Sequence, residues 1–354
     1  MATVATESGE SRMDLLERRR IGRTDLEVTR LGFGSGTLGD LREVISEAQS
    51  DATMAAAWEA GIRFYDTAPF YGHGKSEHRI GRFLRNQPRD EFVLSTKIGR
   101  VYYRPETPEA YEPYGWAAGL PFNFRVDFTA EGVRRSYEDS LMRLGLTRVD
   151  ALLIHDLDFL FHKTEEQVEI YMQQLESGGG YQTLLDLKQG GEIRAIGAGI
   201  NQVGMIPRLL ERFDVDYFLV AMPYTLLCQD ALEVEFALCR ERGAGVVIGA
   251  PFASGILARG PVAGATYAYG APPDGIVEKT HRIRELCARH GVSMGAAALQ
   301  FPLAHPCVAA AIPGPNAPEQ ARTNLAWLRE EIPSAFWSDL KAQGLIHPNA
   351  PTPA

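Results

Sequence analysis

The sequence predicts an α/β fold: a (β/α)8 TIM barrel with an N-terminal β-hairpin and long loops at the C-terminal face. Two observations carry this. Eight short apolar runs alternate with amphipathic helical stretches from residue 31 onward, and eight consecutive βα units with no break in the alternation describe one closed parallel sheet. The runs are also near-continuously apolar rather than alternating, as strands covered on both faces must be.

The strands are expected at 31–35, 62–67, 92–98, 150–155, 193–199, 217–222, 245–250 and 308–313. Helices are expected near 46–59, 75–86, 130–144, 165–189, 204–212, 230–242, 276–290 and 318–329. Thr129 with Glu131, Thr164 before two glutamates, and Pro318-Glu319-Gln320 are start signals. Gly61, Gly145, Gly190, Gly243 and Gly291 each close a helical pattern. The stretch IGRTDLEVT carries turn residues between two β-prone pieces, which predicts a hairpin capping the barrel bottom, and EIPSAFWSDLKAQ reads as a closing helix. No domain linker is visible. The expected organisation is a flexible lead-in over 1–19, a single barrel domain over 20–346 and a C-terminal tail over 347–354.

Gly34-Ser35-Gly36-Thr37-Leu38-Gly39 satisfies the GxGxxG pattern of an open dinucleotide-binding sheet. A confident helix, however, starts only near residue 46, and the next strand-end acid, Asp66, lies well beyond the usual distance of about 20 residues. The repeating units outweigh this motif, and the glycines are expected to let the first loop pass close to a cofactor.

Composition narrows the function. The chain has 354 residues, 45% hydrophobic and 23% charged, with a net charge of −9; that acidic balance, without a basic run, argues against nucleic acid and anionic membranes as partners. Four dispersed cysteines read as reduced thiols in a cytoplasmic protein, and the absence of Cys/His spacing points to no metal site. Oligomeric state is not legible.

The chemistry sits at strand ends. Asp66 closes strand two, Tyr71 follows five residues on, Lys97 closes strand three and His155 closes strand four. In a barrel these ends form one face, with neighbouring strands about 4.8 Å apart. Hydride transfer at a carbonyl or carbinol needs a phenol to trade a proton with the substrate oxygen, and a cation held by a carboxylate is expected to bring that phenol's pKa down from about 10.

With those residues stand longer signatures: GIRFYDTAPFYGHGKSE, VLSTKIG, EDSLMRLGLTRVDALLIHD, EIRAIGAGIN, APFASGIL and IPGPNAPEQARTNLAWL. Through them the chain resembles the aldo-keto reductase superfamily, roughly from Arg20 to Leu345. RSYEDSLMRLGLTRVDALLIHDLD and DVDYFLVAMPYTLLCQDALE look like its aldose 1-dehydrogenases, which oxidise L-fucose, D-arabinose or L-galactose. The resemblance implies that Tyr71 exchanges the proton, that Lys97 paired with Asp66 tunes it, and that His155 orients the substrate oxygen. It also implies a nicotinamide cofactor held by Gly34, Asn201, Tyr224, Pro251, Phe252, Ser254, Gly255, Leu257, Gly314, Asn316, Gln320 and Asn324, with Tyr224 stacking on the nicotinamide ring. Two positions depart from the family pattern: Ala221 stands where most members have a Gln, and Ile200 where most have a Ser.

NADP-preferring relatives place a cation, often Arg, where this chain has Asn316. The nearest cation, Arg322, is expected to point away from the helix face shared by Gln320 and Asn324. NAD is therefore the expected cofactor, NADP the less favoured one. The long stretch after Lys97, rich in Tyr and Phe and including Trp116 and Phe122, is expected to wall a substrate pocket, with His73 as a further contact. A second long loop, 257–275, is expected to cover the pyrophosphate. The small-molecule substrate is expected to be an aldose; the alternatives are pyridoxal, another carbonyl compound, or a non-catalytic role like that of the ion-channel β subunits resembling the same superfamily.

Overall fold

The computed structural model describes residues 17–353; most of the expected lead-in lies outside them. The first described elements are β1 (Arg18–Arg20) and β2 (Glu27–Thr29), paired antiparallel. They form the expected hairpin, so regular structure starts two residues before Arg20. Ile21, Leu26 and Val28 point from it into the barrel floor, packed with Val93, Ala151, Ala195 and Val247.

The barrel strands are β3 (Phe33–Gly34), β4 (Phe64–Asp66), β5 (Val93–Ile98), β8 (Ala151–His155), β9 (Ala195–Ile200), β10 (Tyr217–Ala221), β11 (Gly245–Gly249) and β12 (Val308–Ile312). The remaining pair, β6 (Arg100–Tyr103) and β7 (Asn123–Val126), forms an antiparallel hairpin. All neighbours in the eight-stranded sheet run parallel, in the order β12-β11-β10-β9-β8-β5-β4-β3. A parallel bridge between Leu31 and Ala311 closes the ring, with Gly32 N–H donating to Ala311 O at 2.9 Å and Gly34 N–H to Pro313 O at 2.9 Å. Gly34 has a packing reason to be glycine, since a Cβ there would lie 2.7 Å from Ile312 O.

Side chains alternate along each strand. Phe64, Val93, Ala151 and Ala195 face the barrel interior; an even number of steps further, Asp66, Lys97, His155 and Gly199 share the top of that interior. Parity alone therefore brings the candidate groups to one level. In the middle layer Leu153 and Tyr217 fill the space, and Gly197 makes room for them, because a Cβ there would come within 3.1 Å of the Tyr217 ring and 2.8 Å of Leu153.

Outside the sheet lie α1 (Glu47–Glu59), α2 (Lys75–Leu84), α3 (Ala130–Leu144), α4 (Phe159–His162), α5 (Glu165–Glu176), α6 (Gly180–Gln189) and α7 (Met205–Arg212). They are followed by α8 (Glu235–Arg242), α9 (Ile256–Arg259), α10 (Asp274–His290), α11 (Met294–Leu303), α12 (Pro318–Arg329) and α13 (Ser334–Ala342). Thr129 and Thr164 cap α3 and α5 through their hydroxyls, and Gly145, Gly243 and Gly291 end helices in the left-handed region.

Three helical expectations need correction. The stretch 165–189 is two helices: the chain turns at Gly178 and Gly179, and Gly180 packs so tightly on Phe128 O that a Cβ would sit 1.8 Å from it. The helix expected from 230 starts at Glu235, since residues 229–234 turn to let Ala231 N–H reach Pro223 O at 3.2 Å. The sequence reading also has no counterpart for α11, whose residues 295–303 are all buried; a helix that is apolar all round offers no periodic stripe to read. The C-terminal tail packs down, with His347 N–H donating to Gln229 Oε1 at 3.1 Å and Ala350 fully buried.

Candidate active site

At the top of the barrel, Lys97 Nζ donates to Asp66 Oδ2 at 2.6 Å and to Thr67 O at 2.8 Å, and Ser95 Oγ donates to Asp66 Oδ1 at 2.7 Å. Both members of the ion pair are buried. The Lys97 ammonium lies 4.8 Å from the Tyr71 ring centre, and the Tyr71 and His155 rings meet edge to face at 5.9 Å. The four sequence-predicted groups thus share one cleft.

Tyr71 lies outside any strand, and its placement rests on packing between loops. Gly39 and Gly72 touch backbone to backbone: a Cβ on Gly39 would come 2.5 Å from the Tyr71 carbonyl carbon. That contact is the structural use of the last glycine in the GxGxxG run. Buried Asp40 accepts from Lys75 and Arg79, each at 2.6 Å, and Ser76 Oγ donates to Ser35. The loop carrying Tyr71 is therefore pinned to the loop after β3.

Electrostatics differ from the expectation. Burial, reinforced by the charges of Asp66 and Asp156, pushes the Tyr71 phenol well above its ordinary 10, while Arg100 pulls the other way. The ammonium expected to lower it is cancelled by its own carboxylate at 2.6 Å. Tyr71 nevertheless keeps part of its surface open, so the cleft is accessible. Burial, with the positive charges of Arg100 and Lys97, drives the His155 imidazole well below 6.5. It is neutral across the physiological range.

Several charged groups went unread in the sequence. Arg100, just past the sharp turn at Gly99, places its guanidinium 4.2 Å from the Phe70 ring centre and donates to Asp156 Oδ2 at 3.0 Å. Asp156 Oδ2 also lies 3.2 Å from His155 Nε2. Asp156 and Asp158 both accept from the Asn201 side chain, at 2.9 and 3.1 Å. The signal was available in HDLD, two acids directly after a strand-end histidine.

The other expected residues divide. Trp116 is buried beside Phe70 and Tyr71, with ring centres 5.4 and 6.0 Å away, and Phe122 is exposed near the mouth. The wall is built on the β6–β7 hairpin rather than on an irregular loop. His73 is corrected to a wall anchor: its Nδ1 bonds Phe122 O and its ring packs on Tyr102, Tyr111, Tyr114 and Phe124. Tyr224 does not open onto the cleft. It is fully buried in the helix layer against Phe236, Phe301 and His305, so it has no free face to offer a nicotinamide. Leu257 is likewise fully buried on the inner side of α9, and Asn324 is buried in α12 while Gln320 remains exposed and accepts from Asn316 N–H at 3.0 Å. Gly314 packs on the closing seam, a Cβ there lying 3.0 Å from Gly34 O.

After β11 the backbone turns sharply. Ala250, Ala253, Ser254 and Gly255 all have positive φ, an unusual concentration of left-handed residues, in which the N–H groups of Ala253 and Gly255 donate to Ala250 O at 2.8 Å and Phe252 O at 2.9 Å. Pro251 and Phe252 lie within this turn, Phe252 packing on Trp327 at 5.4 Å. Arg259 reaches back over Gly255, 3.4 Å from where a Cβ would stand, and its charge depresses the ionisation of nearby Arg42 after the larger effect of burial. Among the described residues neither arginine has a carboxylate partner. Two unneutralised guanidiniums beside such a turn suit a diphosphate. The loop 257–275 ties across this region: Thr266 Oγ1 donates to Ser254 O at 2.8 Å, Tyr269 N–H to Ser254 Oγ at 3.1 Å, and Tyr269 OH to Asn201 Oδ1 at 3.3 Å.

A closed parallel barrel with a phenol, an ammonium, a carboxylate and an imidazole at its C-terminal face defines a class of carbonyl–carbinol oxidoreductase. The chain matches the aldo/keto reductase family over residues 30–343 and belongs to that family; it is an NAD(P)-dependent oxidoreductase. It is 38% identical to pyridoxal 4-dehydrogenase of Microbacterium luteolum, over 93% of this chain and 98% of that protein. It is 37% identical to D-threo-aldose 1-dehydrogenase of a Pseudomonas species, over 93% of this chain and 96% of that one. Its fold superposes on the holo form of aldo-keto reductase AKR11C1 from Bacillus halodurans with a TM-score of 0.72 at 24% identity, covering 93% and 96% of the two chains.

Proposed function

We propose that the protein oxidises the anomeric carbon of an aldose such as L-fucose, D-arabinose or L-galactose to a lactone, using NAD. The observation that carries this reading is the single cleft shared by Tyr71, Lys97, Asp66 and His155. Bound nicotinamide dinucleotide supplies the hydride acceptor; Asn201, the turn 250–255, Arg259 and Arg42 would hold it. Tyr71, ionised beforehand, takes the proton of the anomeric hydroxyl as the C–H bond breaks, and Asp66 fixes Lys97 beside its ring. Neutral His155 offers a hydrogen bond to the same oxygen without competing for its proton. Run backwards, Tyr71 donates to a carbonyl.

NAD rather than NADP is supported by the surroundings of Asn316. Its amide donates to Glu43, a carboxylate that would repel a 2′-phosphate, and Arg322 turns outward to pair with Glu319 at 3.7 Å. Four free cysteines agree with a reducing cytoplasmic setting.

A second reading is favoured by the aromatic wall. Arg100, Phe70, Phe124 and Phe161 stack together, and Tyr103, Tyr114 and Phe122 are exposed near them, a surface suited to a planar ring such as pyridoxal. The two substrates share one feature: aldehyde and hydroxyl of the same molecule close to a cyclic hemiacetal, whose oxidation gives a lactone.

The test is nucleotide reduction on L-fucose, D-arabinose, L-galactose and pyridoxal, each with NAD⁺ and NADP⁺. Turnover on a sugar with a much higher kcat/KM for NAD⁺ is expected. Equal or better use of NADP⁺ overturns the cofactor choice, turnover on pyridoxal alone overturns the sugar, and tight nucleotide binding without turnover on any of them favours a non-catalytic role.

A further inference from the structure

Asn201 is held in a way that fixes which end of its amide faces the cleft. A carboxamide side chain has an acceptor oxygen and a donor nitrogen of nearly the same shape, and its surroundings must choose between them. Here the choice is forced. Asp156 Oδ1 and Asp158 Oδ2 lie 2.9 and 3.1 Å from Asn201 Nδ2, and carboxylates only accept. A flipped amide would set its oxygen against both.

Asp158 is itself immobile: Oδ1 accepts from the N–H groups of Leu160 and Phe161 at 3.0 and 3.3 Å, and Oδ2 also takes Asn201 N–H at 3.0 Å. Asp156 adopts φ 50, a strained conformation for a non-glycine residue, and Arg100 balances its charge at 3.0 Å. Asn201 Oδ1 is left facing the strap 257–275, where the half-exposed Tyr269 donates to it at 3.3 Å. Ile200 and Ala221, at the ends of β9 and β10, are aliphatic and offer no polar group beside it.

We propose that Asp156 and Asp158, with Arg100 as counter-ion, are positioning residues that hold Asn201 Oδ1 outward as the acceptor for the NH₂ of the nicotinamide carboxamide, with the Tyr269 hydroxyl occupying that acceptor in the free protein. The inference rests on the nicotinamide reading above. It makes recognition of the carboxamide depend on one oxygen whose orientation two acids enforce.

The experiment is calorimetric titration, without substrate, of three probes: NAD⁺, its 3-acetylpyridine analogue, which lacks the NH₂ donor, and ADP-ribose, which lacks the ring. Wild-type protein is expected to bind NAD⁺ about tenfold tighter than the analogue, one hydrogen bond's worth. Asp156→Asn combined with Asp158→Asn offers Asn201 two amides that can donate as well as accept, so the flip is no longer forbidden. The ratio should fall to within about twofold while ADP-ribose affinity holds. Asp156→Asn alone, which leaves the α4 cap and one opposing carboxylate intact, should lower the ratio in the same direction but by less, and serves if the double variant does not fold. An unchanged ratio in a variant that still binds ADP-ribose, or equal wild-type affinity for both dinucleotides, overturns the proposal alone. Failure of wild-type protein to bind any of the three overturns the nicotinamide reading with it.

Discussion

At the scale of single residues, the site works by setting two ionisations apart. Tyr71 is pushed well above 10 and His155 well below 6.5, so the proton shuttle and the hydrogen-bonding group do not exchange roles near neutrality. Tyr71→Phe removes the proton acceptor and should lower kcat by at least 10²- to 10⁴-fold, with NADH affinity, read by fluorescence titration, nearly unchanged. Oxidation requires the phenolate, which becomes more populated as pH rises toward a raised pKa. The oxidative kcat/KM should therefore climb with pH and show no plateau below about pH 10. A plateau near neutrality would mean that another group limits the rate. Because His155 is already unprotonated, no separate acid limb near pH 6.5 is expected from it.

At the scale of elements, one buried acid couples two helices to the Asn201 loop. Glu235 opens α8 and accepts from Gly204 N–H, the cap of α7, at 2.5 Å. Burial raises its carboxyl from 4.5 to about 6, against the hydrogen bonds from Gly204 and Ile206. The folded pKa is above the unfolded one, so the unfolded chain loses its proton first as pH rises. Stability is then greatest below the unfolded value and is lost between about pH 4.5 and 6, by roughly 2 kcal/mol. Glu235→Gln should abolish that part of the pH dependence, seen by comparing denaturant unfolding of the two proteins between about pH 4 and 7. Parallel curves for variant and parent would rule Glu235 out as the source.

At the scale of the whole molecule, the barrel separates stability from chemistry. The floor is plugged by Ile21, Leu26 and Val28. Gly22, with positive φ, presses so closely on the N-terminal end of β11 that a Cβ would stand 2.4 Å from Gly245 N. Ile21→Ala removes a fully buried side chain from this plug and should cost about 2–4 kcal/mol of unfolding free energy. The cleft is at the opposite end, so kcat at a permissive temperature should stay within about twofold of the parent. Loss of turnover in proportion to stability would mean that the two ends are coupled.

The sequence by itself determined the ring of eight strands, most helix boundaries and the residues that meet at the top, because each rests on a local rule. Apolar runs mark buried parallel strands, glycines mark helix ends, and the alternation of side chains lifts Asp66, Lys97 and His155 to one level. Where the local signal was weak, the reading failed: all-apolar α11 has no stripe, and the α5–α6 break is imposed by the approach of Gly180 to Phe128. Only the tertiary structure decided the rest. It sent Tyr224 into the helix layer, turned His73 toward the wall, and brought Arg100, Asp156 and Asp158 around Asn201. Burial and charge are sums over neighbours distant in the chain, and those neighbours exist only once the sheet has closed.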